Sequence, residues 1–138
     1  MRIIDFGSQT LYNNIVSFFE CSIEKAEKRL RNIESLKTLD DEFSDKARLS
    51  NIVRSSFVDF CEKVEATFRH YNTREVGNVL DYILFQGGLS NVPEVDQVFS
   101  AHFNIPTVQL STLDRIRFDG DLSKYASAIG GLVRMDVK

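Results

Sequence analysis

Two adjacent glycines carry the first chemical hint in this chain. Leu84-Phe85-Gln86-Gly87-Gly88-Leu89-Ser90-Asn91-Val92-Pro93 runs from an apolar stretch through Gly87 and Gly88 to a proline. Lacking side chains, the pair lets a flat ligand lie directly on the backbone. Pro93 suits the first turn of a helix, where its missing N–H is no loss. An apolar strand, a glycine pair and a helix N-terminus together favour a nucleotide-type ligand, and the same pattern also serves as a plain connection.

Other residues with chemical potential reduce to less. Asp5-Phe6-Gly7-Ser8-Gln9-Thr10 mimics an Asp-x-Gly phosphate-binding hairpin, but the hairpin needs a second strand and Leu11 to Glu20 has helical spacing instead. Asp5-Phe6-Gly7 also spells the metal-binding triplet of kinases, yet no Gly-rich loop, strand lysine or His-Arg-Asp loop accompanies it. Cys21 and Cys61 lie far apart on apolar helix faces and read as core packing in a reducing compartment. His70 and His102 have no partner at metal-ligand spacing. No metal site and no catalytic residue is assigned.

The elements that must position the glycine pair follow from hydrophobic spacing. Arg2 to Phe6 reads as a short strand. Leu11, Tyr12, Ile15, Val16 and Phe19 form one helical stripe; Ser22 caps a second helix with Ile23, Ala26, Leu30 and Ile33 on one face. After a polar turn over 37–45, Leu49, Val53, Phe57, Phe60, Val64, Phe68 and Tyr71 mark a long helix. Its residues Phe57, Phe60, Val64 and Phe68 are expected to be buried. Residues 79–85 are almost continuously apolar, as in a strand covered on both faces. A helix over 93–103, a turn at Asn104-Ile105-Pro106, a strand over 107–110 and a helix from Leu122 complete the chain. The order β, helices, βαβα predicts an α/β layer of residues 1–7 and 79–138, with 8–78 as an inserted helical region in one domain. The last two strands should be parallel, joined by a right-handed crossover.

With 138 residues, 43% hydrophobic and 27% charged, the chain can build one globular core. A net charge of -3 and a pI near 5.4 leave no basic stripe for nucleic acid. No apolar run reaches the ~18 residues of a membrane span, and the strand-like start with Asp5 inside it does not read as a secretory leader.

These motifs, in this order, resemble the C-terminal lobe of the actin-like (ribonuclease H-like) ATPase fold shared by actin, Hsp70 and FtsA, and most closely the PilM family of type IV pilus assembly proteins. The resemblance covers nearly the whole chain. Arg2-x-Ile4-x-x-Gly7 is similar to the strand that leads into the second large lobe. Ser22-x-Glu24-x-Ala26-Glu27 resembles the helix whose Ala-Glu faces the nucleotide ribose, and Gly87-Gly88-Leu89-Ser90-Asn91-Val92-Pro93 resembles the adenosine motif. Asn104-Ile105-Pro106-Thr107-Val108 resembles a Gly-Ile-Pro-Val strand start. Tyr125-Ala126-x-Ala128-Ile129-Gly130-x-Leu132-Val133-Arg134 resembles the closing helix, where small residues let the two lobes pack closely.

The resemblance implies a fold class of α/β with an inserted helical subdomain. It implies nucleotide contacts at Glu27, Gly87, Gly88 and Ser90, and lobe packing at Ala128 and Gly130. ATP or ADP with magnesium would be the ligand of the full-length protein, with this lobe on the adenosine side. The implied role is a cytoplasmic scaffold at the inner membrane, working with other pilus or type II secretion-like assembly proteins. Three positions depart from the pattern: a ribose-side lysine is Leu30, a third glycine is Leu89 and a later glycine is Glu94. Leu30 and Leu89 weigh against tight ATP binding and toward the alternative, an FtsA-like or other actin-like module that works through protein contacts without nucleotide. The first lobe, with its phosphate loop and catalytic carboxylates, has no counterpart in these residues, so the fragment is expected to be inactive and the full-length protein at most a weak ATPase. Two upstream strands that pair with Arg2 to Phe6 in the family are likewise missing, and an unpaired edge there would favour a homo-oligomer.

Overall fold

Helix-forming periodicity dominates the observed architecture. The computed structural model describes residues 3–37, 41, 43–72, 80–110 and 119–132. α1 spans Ser8–Phe19 and buries Leu11 and Ile15 one turn apart, before Glu20 ends it in the left-handed conformation. α2 spans Ile23–Arg31 from an extended Ser22 N-cap, with Glu24 in its first turn and Lys28, Arg29 and Arg31 in its last. Those charges complement the helix dipole at both ends. Ala26 and Leu30 face the core, whereas Ile23, expected on the same face, is exposed.

α3, Asp45–Asn72, is the longest element. Leu49, Val53, Phe57 and Cys61 recur every fourth residue and are buried, while Phe60, Val64 and Phe68 are half-buried and Tyr71 is exposed. The stripe predicted for this helix is thus real but sinks fully only in its first half. Asn14 of α1 donates to the Ser56 hydroxyl at 2.7 Å, and that hydroxyl donates back to the Ile52 carbonyl at 2.8 Å. These bonds satisfy the polar groups trapped where α1 crosses α3.

β1, Ile83–Phe85, pairs in parallel with β2, Thr107–Gln109, in the register Ile83↔Thr107, Leu84↔Val108, Phe85↔Gln109. The intervening α4, Val95–Phe103, buries Val95 and Phe99. α5, Leu122–Leu132, follows. Phe99 joins the two parts of the chain. Its ring lies 6.1 Å from Phe85, nearly parallel, and 6.2 and 5.8 Å from Phe57 and Phe60 of α3. One hydrophobic cluster therefore runs from α1 through α3 to α4.

Two expectations need correction. Residues 3–6 form no strand: the Phe6 N–H donates to the Ile4 carbonyl at 3.0 Å, a tight turn, and the Phe6 ring stacks on Phe60 at 4.4 Å. Aromatic packing on α3 holds this segment, and it joins no ladder with β1 or β2. The strand expected over 79–85 is shorter and open on one side. Val79 lies outside the described residues, Tyr82 precedes the strand at 63% exposure, and Leu84 and its partner Val108 are 52% and 47% exposed. Only the face bearing Phe85 meets the core, because α4 lies on that side.

Candidate functional site

The chain leaves β1 through Gln86 into a turn that only glycine fits well. Gly87 has φ +111°, a conformation that side-chain-bearing residues rarely adopt. Gly88 then opens a single 3-10 turn to Asn91. The Ser90 N–H and hydroxyl both donate to the Gly87 carbonyl, at 3.0 and 2.6 Å. Gln109 of β2 donates through Nε2 to the Ser90 hydroxyl at 3.0 Å and to Asn91 Oδ1 at 3.3 Å. Ser90 thus acts beneath the turn, tying it to the neighbouring strand.

The two glycines differ in what they require. Gly87 is set by backbone conformation. At Gly88 a Cβ would meet nothing within 4 Å, so the position faces open space. That space is a cleft of about 610 Å³, within the range of small-ligand sites. Gly88, Leu89, Val92 and Pro93 form one wall; Tyr12 of α1 with Leu30 and Ile33 of the α2 region form another. Arg31 and Lys124 supply its cationic groups. α2 and the glycine turn, some sixty residues apart in sequence, therefore share one cleft.

Glu27 does not itself line the cleft. Its carboxylate accepts from the Arg31 guanidinium one turn later, and Arg31 reaches the cleft. Leu30, in the place of the expected lysine, is buried in the wall, and Leu89 lines it half-buried. On α5, Ala128 is exposed; Gly130 lies two residues on, and its surroundings are outside what is described.

Glu94 was legible only as a departure from a pattern, and the structure gives it a role. It precedes α4 with φ +61°, and its carboxylate accepts from the Ser35 hydroxyl at 2.7 Å and from the Leu36 and Lys37 N–H groups at 2.9 and 3.2 Å. Lys37 Nζ adds an ion pair at 3.2 Å. The Ser35 hydrogen bond, reinforced against partial burial by the Leu36 N–H and Lys37, lowers its pKa from the usual 4.5 to about 2. This carboxylate pins the α2–α3 connection to the start of α4, holding the cleft's walls together.

Cys61 is fully buried, and burial pushes its thiol up to about 11, which keeps it protonated and unreactive. Among the described residues no group of three or more His, Cys, Asp or Glu could hold a metal ion, and no helix is long and apolar enough to cross a membrane. Sequence reasoning did not find Tyr12, Arg31 or Lys124, because nothing in their local spacing marks them as neighbours of Gly88. Neither a protein-family model nor a curated relative matches the chain.

Proposed function

We propose that this chain is the adenosine-holding lobe of an actin-like, PilM-like protein that scaffolds type IV pilus or related secretion assembly at the cytoplasmic face of the inner membrane. The observation that carries this reading is the shared cleft: residues of the helix that bears Glu27 and Gly88 of the glycine turn line one cavity of ligand size. Its apolar lining from Tyr12, Leu30, Val92 and Pro93 suits a base, and the bare Gly88 leaves room for a ring or sugar against the backbone.

Backbone conformation adds support at two further positions. The family pattern has glycine where this chain has Glu94 and Asn104, and both residues are left-handed, with φ +61° and +53°. A chain that keeps the conformation after changing the residue keeps the geometry on which the resemblance rests. In this reading the metal and catalytic carboxylates belong to the first lobe, as the resemblance implies. The chain itself is then a binding and scaffolding part.

Calorimetric titration of adenosine and ADP into the wild-type chain and Gly88→Val tests the reading. Binding by the wild type, and its loss in a variant that keeps its melting temperature, is the expected result. The second reading, a protein-contact module without nucleotide, is favoured by Leu30 filling the lysine's place in the wall. Absence of adenosine and ADP binding both by the folded chain and by a longer protein that carries the first lobe would select it.

A further inference from the structure

The cleft has two charged side chains among its described lining residues, Arg31 from α2 and Lys124 from α5, and both are cations. Each leans on a neighbour outside the cleft: Arg31 on Glu27, and Lys124 on Asp121 at 3.3 Å. Both side chains are exposed, at 75% and 53%. Exposed pairs three or four residues apart contribute little to stability, so either cation can leave its partner at small cost. Arginine, moreover, can hold a phosphate through two parallel N–H donors, whereas Arg31 meets Glu27 through Nη2 alone.

We propose that Arg31 and Lys124 form the anion-holding pair of this cleft, so that its ligand carries a phosphate-type group, and that Arg31 passes from Glu27 to that group on binding. Leu30 cannot supply a cation; Arg31, the next residue on α2, does. This deepens the nucleotide reading and rests on it for the identity of the ligand, while the anion site itself can be tested alone.

The probes are inorganic pyrophosphate, adenosine and ADP, titrated into the full chain. Pyrophosphate and ADP should both bind, with affinities that fall as salt is raised, whereas adenosine binding should be insensitive to salt. Arg31→Gln and Lys124→Gln should each weaken pyrophosphate and ADP about tenfold and leave adenosine within about twofold. Arg31→Lys should retain part of the affinity. Glu27→Gln should tighten pyrophosphate about twofold by releasing Arg31. Failure of pyrophosphate to bind, or affinity that survives both cation substitutions in variants with unchanged circular dichroism, overturns the inference. Pyrophosphate binding that depends on both cations, without any adenosine binding, leaves the anion pair standing and removes the nucleotide reading.

Discussion

The aromatic centre between α3 and α4 and the two-stranded sheet beside it are built from similar residues and behave differently. In the centre, Phe57 is 2% exposed and touches Phe6 and Phe99, whose rings in turn meet Phe60, Phe85 and Phe103. In the sheet, Leu84 and Val108 stand side by side with half their surface in water. Apolar content therefore does not tell which residues hold the fold; neighbours do. The centre forms the core, and the thin sheet leads into the glycine turn whose Gly88 lines the cleft.

Unfolding by denaturant gives the largest contrast. Phe57→Ala should cost about 3–5 kcal/mol, because it removes a ring from a site closed on all sides. Phe60→Ala should cost less, since that ring is half-buried. Equal effects at Phe57 and at Leu84 would erase the distinction between centre and sheet.

Glu94→Ala comes next, at about 2 kcal/mol, because it strips the carboxylate from the Ser35, Leu36 and Lys37 donors. Glu94→Gly should lose less, as glycine relieves the left-handed backbone. The carboxylate's pKa is lower in the folded protein, so its contribution is fully present above the unfolded value of 4.5 and fades as pH falls toward about 2. The stability gap between wild type and Glu94→Gln, followed by denaturant midpoints across that window, should therefore close on acidification. A gap that widens would contradict the carboxylate's role.

Gly87→Ala should cost about 1 kcal/mol or somewhat more, from its positive φ alone. Gly88→Val should change the melting temperature little, since a side chain there enters open space. The two glycines would then separate conformation from binding, and thermal melts of both variants read the difference. Smallest of all, Leu84→Ala should lie within about 0.5 kcal/mol of wild type. A loss several times larger would mean that the outer face of the sheet is covered in solution.

The helices were largely legible because their buried residues recur at a period that the backbone imposes: Leu11 with Ile15, Ala26 with Leu30, and Leu49 through Cys61 in steps of four. The strands were less so. Ile3, Ile4 and Phe6 have the apolar, partly β-branched character of a strand, yet the Phe6 ring packs against Phe57 and Phe60 of α3 and the segment joins no ladder. The apolar run before Gly87 was read as doubly covered, and short apolar runs do not reveal which face has a partner.

Local sequence thus determined the positions of the helices, the glycine-bearing turn and the chemistry of Gly87, whose φ needs no distant residue to explain it. Tertiary structure decided which groups meet around that turn. It brought Arg31 and Lys124 to a cleft with Gly88, and set Ser90 beneath the turn on Gln109. It also made Glu94 the clamp between the α2–α3 connection and α4. The reason is physical: periodicity and backbone preference act over a few residues, whereas charge pairing and cleft formation depend on surfaces that become neighbours only once the aromatic centre has closed.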